Sequence, residues 1–195
     1  MKKYELTAEF IEKRGKKLFR IKALISFGSV EVGELGGYVE KEDNLAQTGD
    51  AWVSGNARVY GNARVYGDAR VYGDAWVSGN AWVYGDAWVS GDAWVYGDAW
   101  VSGNAEVYGD ADYLLIGRIG SRFGFTTFFK NKEKGITVSC GCFLGTIAEF
   151  RAKVTDTHGD NKYAKMYNMA ADMAELQILG EEHFDKLNTN KSEPF

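Results

Sequence analysis

The 195-residue sequence contains a single proline, Pro194, and only two cysteines, Cys140 and Cys142. Two thiols one residue apart are too few and too close to make a disulfide framework, which points to a reducing compartment. Histidine is equally scarce, with His158 and His183 both late in the chain. There is no run of about 18 apolar residues, so no membrane-spanning helix is expected. The opening MKKYELTAEF has lysines but no apolar stretch long enough for a signal peptide, and a cytoplasmic location is the expectation. A basic excess is missing too. Residues 1–50 carry nine basic and nine acidic side chains, residues 112–195 eleven of each, and residues 51–111 three basic against seven acidic. The whole formal charge of −4 therefore sits in the middle segment. Such a balance offers no basic face to nucleic acid, which is not expected as a partner. With 45% hydrophobic and 26% charged residues the chain reads as folded and globular.

What the sequence does have is a repeat. Valine recurs every sixth residue from Val53 to Val107, and each of the ten hexads reads Val, Tyr or Ser, Gly, Asp or Asn, Ala and a variable residue. A period of six fits neither the 3.6-residue period of an amphipathic helix nor a heptad. Short strands joined by turns remain. Glycine beside Asp or Asn supplies turn residues that tolerate left-handed backbone, and Ala-x-Val-x alternates inward and outward as a strand does. A β-solenoid is the architecture that such a pattern predicts.

The unit V-x-G-D/N-A-x resembles the hexapeptide repeat of left-handed parallel β-helix proteins. That resemblance implies a triangular coil of three hexads, so that residues eighteen apart stack along the axis at about 4.8 Å. Val and Ala would then fill a narrow interior. Outside, the variable position forms three columns: Trp52, Arg70, Trp88 and Glu106; Arg58, Trp76 and Trp94; Arg64, Trp82 and Trp100. Tyr and Ser alternate along the neighbouring columns. Arginine beside indole can contribute about 0.5–1 kcal/mol per exposed pair. Three readings of these aromatics stay open: ladders that stiffen the sheets, a self-association surface, or a stacking platform for sugar rings or bases. Members of the family commonly assemble as trimers, so the resemblance implies a homo-oligomer, with an interface drawn from Trp76, Trp82, Trp88, Trp94, Trp100, Arg58, Arg64 and Arg70.

The ends read differently. Residues 1–44 look like a β-rich cap, with LFRIKAL (Leu18 to Leu24) alternating as a half-buried strand. Gly36-Gly37 leads into the solenoid, expected over 45–111. The spacing from Leu45 to Val53 is eight instead of six, so two extra residues should disturb the first coil. This lead-in also resembles uncharacterised, transferase-like hexapeptide proteins of bacteria and phages, which implies phage or prophage encoding. Residues 112–195 predict an α+β domain of three strands (DYLLIGRIG, FTTFFKN, GITVSCGCF) and two helices. The first helix opens on the capping box Thr146-Ile147-Ala148-Glu149, buries Ile147, Phe150 and Val154, and stops near Gly159. The second starts near Asp160 or Asn161 and carries Tyr163, Met166, Ala170, Met173 and Ala174 at helical spacing. The last residues, NTNKSEPF, should fray.

Acyl transfer is the enzyme reading that the resemblance suggests, yet the repeat has no histidine to serve as the family's general base. Cys140 and His158 could form a nucleophile–base pair for a cysteine hydrolase. The alternative is that Ile136, Val138, Cys140 and Cys142 share one strand face, with inert buried thiols. Cys-x-Cys and the two histidines match no common zinc spacing, and no metal or cofactor is expected. The sequence thus predicts a mainly β protein, a left-handed parallel β-helix with a cap and an α+β domain. Its expected role is that of a non-catalytic, self-associating scaffold or binding protein, with a small-molecule (sugar or nucleotide) binder at subunit interfaces as the alternative.

Overall fold

The computed structural model describes residues 1–182. Its contacts divide the chain into two units, Met1–Asp110 and Ala111–Phe195. His183 and the terminal segment expected to fray lie outside the described residues. The fold is mainly β, a solenoid of about four turns followed by a sheet and a helical region.

The first unit begins with an antiparallel meander of β1 (Tyr4–Lys13), β2 (Lys16–Ala23) and β3 (Leu35–Val39). Ten two-residue strands follow, one per hexad: β4 (Trp52–Val53), β5 (Arg58–Val59), β6 (Arg64–Val65), β7 (Arg70–Val71), β8 (Trp76–Val77), β9 (Trp82–Val83), β10 (Trp88–Val89), β11 (Trp94–Val95), β12 (Trp100–Val101) and β13 (Glu106–Val107). They pair in parallel and form three ladders. One joins β4, β7, β10 and β13, a second joins β6, β9 and β12, and the third continues the meander through β3, β5, β8 and β11. Val53 pairs with Val71, and Val71 with Val89, eighteen residues apart. Before that point the register is wider: Val39 pairs with Val59 and Leu45 with Val65, twenty apart. The two extra residues anticipated between Leu45 and Val53 are therefore absorbed ahead of β4. β3 is at once the last strand of the meander and the first rung of a ladder.

Between rungs, each hexad turns at a glycine such as Gly79, whose φ of +71° is unfavourable for any residue with a Cβ. The interior holds the alanines from Ala51 to Ala105 and the valines from Val53 to Val107, all buried. Backbone bonds link successive turns, as from the Arg58 N–H to Ala75 O at 2.9 Å and from the Tyr60 N–H to Val77 O at 3.0 Å. Along one corner the side chains add a ladder of their own, from Asn62 Nδ2 to Asn80 Oδ1 and from Asn80 Nδ2 to Asp98 Oδ1, both 3.1 Å.

An open ladder end exposes unpaired carbonyls, which buried must find donors. At the N-terminal end polar side chains supply them. Lys3 Nζ donates to Ala51 O at 2.8 Å and to Gly49 O at 3.2 Å. The single Tyr4 hydroxyl proton is shared between Leu45 O at 2.7 Å and Glu42 O at 2.8 Å, and Asn44 Nδ2 donates to Ala63 O at 2.8 Å. Lys3 is 2% exposed. Burial lowers its pKa from 10.5 to about 8, against the opposing attraction of Asp50 and Asp68.

The second unit is a four-stranded antiparallel sheet in chain order, β14 (Tyr113–Ile119), β15 (Gly124–Lys130), β16 (Ile136–Cys140) and β17 (Phe143–Thr146). Four strands stand where three were expected. GITVSCGCF is a hairpin, because Gly141 at φ +60° reverses the chain and Cys140 pairs with Phe143. Two helices follow, α1 (Ile147–His158) and α2 (Lys162–Leu179). The capping box forms as read: Thr146 Oγ1 accepts from the Glu149 N–H at 3.3 Å and the Glu149 carboxylate accepts from the Thr146 N–H at 2.8 Å. Phe150 and Val154 of α1 are buried, Ile147 only partly. Asn161 caps α2 through the Tyr163 and Ala164 N–H groups. Arg151 ties the helices together, its Nη2 lying 2.7 Å from both Asp172 and Glu175.

The buried face of α2 differs from the sequence reading. Ala164, Tyr167, Ala170, Ala171, Ala174 and Ile178 face the core, whereas Met166 and Met173 are exposed. Alanines let the helix axis approach the sheet and α1 closely, and a face of methionines would hold it away.

Two measurements check this account. A Cβ at Gly37 would lie 2.6 Å from Ala57 O and 2.8 Å from Val53 Cγ1. Gly37→Ala should cost about 1–3 kcal/mol in urea unfolding, since backbone has to move to admit it. For Lys3, the unfolded chain holds more protons than the folded one above about pH 8, so its contribution to stability rises with pH. Burial raises the Tyr4 pKa above its ordinary 10.0, and the sign reverses beyond that pH. Between pH 7.5 and 9.5 the wild type should gain about 1–2 kcal/mol relative to Lys3→Met, read as the difference of two urea curves.

Candidate functional site

The variable residue of each hexad points out of its sheet, so the parallel register stacks these side chains into rungs. On the face of β5, β8 and β11, Trp76 and Trp94 stack at 5.2 Å with 26° between planes. Arg58 lies over Trp76 at 4.9 Å. From the turn between β1 and β2, Arg14 reaches over the same pair, 5.6 Å from Trp76 and 5.0 Å from Trp94. On the face of β6, β9 and β12, Trp82 and Trp100 stack at 5.2 Å and 7°, and Tyr66 and Tyr84 at 5.0 Å and 5°. On the third face Trp52, Arg70 and Trp88 pair in sequence, and Arg70 Nη1 donates to Ser29 Oγ at 2.6 Å.

The structure thus divides the eight predicted interface residues among three faces and brings each arginine together with tryptophan on its own face. The sequence reading missed the diagonal contacts. Tyr60 meets Trp76, Tyr66 meets Trp82 and Tyr72 meets Trp88 edge-on, at 6.1, 5.8 and 6.2 Å. The signal was available, since each pair is sixteen residues apart, the diagonal neighbour in a ladder of eighteen. Trp52 also stands apart from the other five: Tyr4 and Phe27 pack edge-on against it and leave it 3% exposed. Trp94 and Trp100 remain 39% and 38% exposed, and Trp76, Trp82 and Trp88 are half-buried. Aromatic surface is therefore greatest at the later hexads.

Each face also carries a hollow of about 480–490 Å³. One lies among Arg14, Tyr60, Trp76, Ser78, Trp94 and Tyr96, where the small Ser78 falls between two tyrosines. A second includes Arg64, Tyr66, Trp82, Glu42 and Asp43, and a third Ser29, Ser54, Arg70, Tyr72 and Trp88. Burial, and then the neighbouring Tyr84, raise the Tyr66 pKa. Such walls suit a planar ring with a polar edge: indole faces for stacking, a guanidinium for an acceptor.

In the second unit Cys140 and His158 line one cleft of about 300 Å³, along with Cys142, Tyr167, Arg122 and Lys153. The partners of the thiol and the imidazole, however, lie elsewhere. Cys140 Sγ accepts from Thr126 Oγ1 at 3.2 Å, while the His158 ring stacks on Tyr167 at 5.7 Å and tilts against Tyr163 at 5.9 Å. Burial, and then the adjacent Cys140, raise the Tyr167 pKa, so this hydroxyl stays protonated beside the sulfur. Neither set of contacts joins base to nucleophile, which a thiolate mechanism needs. The buried, inert cysteine pair also needs correcting. Cys142 sits exposed in the β16–β17 turn, and Cys140 is only partly covered. Among the described residues no three His, Cys, Asp or Glu side chains are grouped to hold a metal ion. No described helix is long and apolar enough to cross a membrane.

Three overlapping stretches, residues 51–67, 63–79 and 75–91, match the family described as YdcK Beta solenoid repeat. Over those hexads the chain is similar to a repeat β-helix protein, in agreement with the ladders above. No curated protein matches the chain.

Arg14 covers two stacked indoles from outside the repeat, which makes its contribution separable. Arg14→Ala should increase acrylamide quenching of tryptophan fluorescence and lower stability by about 0.5–1 kcal/mol. Unchanged quenching would mean that the guanidinium does not rest on the rings in solution.

Proposed function

We propose that this chain is a non-catalytic, self-associating β-solenoid that works as a scaffold or binding protein. One observation carries the reading: the side chains that leave the repeat are arginine and aromatic rungs, stacked along its faces and increasingly exposed toward Trp94 and Trp100. A rod with such faces presents a surface for contact. In its finer form the coil has three hexads per turn, for which the register of eighteen is the support, and is left-handed by the family resemblance. The family resemblance adds prisms packed side by side as a trimer and phage or prophage encoding, and the scarcity of cysteine supports a cytoplasmic setting. Nucleic acid and membrane are not among the proposed partners.

A second reading is favoured by the hollow under Arg14. Stacked Trp76 and Trp94, a guanidinium above them and Asp110 nearby could hold a sugar ring or a nucleotide base. Neither reading requires a cofactor.

Light scattering on the purified chain decides the first reading. At micromolar concentration the mass should be a multiple of 21.6 kDa, and a strict monomer would remove self-association. Saturable quenching of tryptophan fluorescence by a monosaccharide or mononucleotide, abolished by Arg14→Ala, would favour the second.

A further inference from the structure

An ordinary surface helix buries an apolar stripe and turns charge to solvent. α2 is apolar on both sides. Its core side is lined by alanines, Tyr167 and Ile178, and its outer side carries Met166, Met169, Met173 and Leu176, which are 38%, 66%, 57% and 46% exposed. The spacing of three, four and three is that of the a and d positions of a helix–helix seam. The two acids within this span, Asp172 and Glu175, are both held by Arg151 of α1. Methionine is also the residue most used on surfaces that repack against partners.

The charges at the two ends identify the occupant. The first turn holds Lys162 and no acid, with Lys165 next, and the last turn holds no base. Glu181 and Glu182, both exposed, follow directly. Relative to the helix dipole, this arrangement is reversed: cations sit at the positive end and anions at the negative end. Each end would be compensated by the opposite end of an identical helix running antiparallel. A parallel partner would set lysine against lysine and glutamate against glutamate.

We infer that α2 is the contact by which two copies of this chain pair, as an antiparallel, two-fold helix seam. In that register Met169 of each copy lies opposite Met173 of the other and Met166 opposite Leu176, and Lys162 and Lys165 face the acidic end. An isologous contact of this kind closes on itself and does not propagate. The inference rests on the self-association proposed above and adds a second contact to it. It is compatible with side-by-side solenoids, because the two contacts use different units of the chain.

The experiment uses the full chain at about 50 µM, a concentration at which micromolar contacts are populated. Wild-type mass by light scattering should be an even multiple of 21.6 kDa. Met169→Glu/Met173→Glu should halve it while leaving the circular dichroism in place, because both side chains are exposed in the single chain. Lys162→Glu/Lys165→Glu should weaken pairing by about tenfold in Kd, and adding Glu181→Lys/Glu182→Lys should restore it. An assembly whose mass the methionine variant leaves unchanged would overturn the α2 contact and leave self-association standing. Charge reversal without an effect, or without rescue, would overturn the antiparallel arrangement. A monomeric wild type would overturn both this inference and the self-association it rests on.

Discussion

Alanine and valine line the interior of the hexad repeat from Ala51 to Val107, and most of the first unit follows from that packing. With Ala and Val fixed inside, the amide of each rung reaches the carbonyl of the next at 2.8–3.1 Å, as from Arg70 to Ala87 and Tyr66 to Val83. The chain turns after two residues of strand, and the glycines that make these turns, from Gly55 to Gly103, have positive φ. Bulk then has only one direction left to go, which is outward. The tryptophans, tyrosines and arginines of the repeat are on the surface because the interior excludes them.

Outward-facing rings on stacked strands cannot avoid each other. At the spacing of a parallel ladder, indoles on consecutive turns lie at van der Waals contact, and the rungs at Trp76–Trp94 and Trp82–Trp100 are the result. These rungs bury part of each ring, so the groups that stiffen the solenoid are the same ones that the proposed contact surface would use. The ladder reading and the interface reading are therefore complementary. The open N-terminal end needs a different solution, since carbonyls there have no next turn. Lys3, Tyr4 and Asn44 supply donors to them, and β3 merges the meander with a ladder so that this edge is covered as well. A buried lysine is a costly donor, and its low pKa records that cost.

In the second unit packing is governed by alanine of another kind. Ala164, Ala170, Ala171 and Ala174 bring α2 close to its neighbours and exclude the methionines from that contact. The helix is left with two apolar sides, of which the fold uses one. Cys140 and His158 show the related lesson for chemistry. Sharing a cleft does not make them a pair, because Tyr167 stacks on the imidazole and neighbours the thiol, and Thr126 occupies the sulfur.

The sequence by itself determined the solenoid, its hexad rungs, the wide first register between Leu45 and Val53, the capping box at Thr146 and the two helices. These are properties of local period and turn chemistry, which a linear sequence carries in full. Tertiary structure decided what depends on the distance between elements. It set which side of α2 is buried, since Met166 and Ala170 fit a helical period equally well and only close packing tells them apart. It broke GITVSCGCF at Gly141, where the alternation alone continues unbroken. It drew Arg14 from outside the repeat onto Trp76 and Trp94, and covered Trp52 with Tyr4 and Phe27. None of those contacts has a sequence period, because each is made by segments that meet only once the chain has folded.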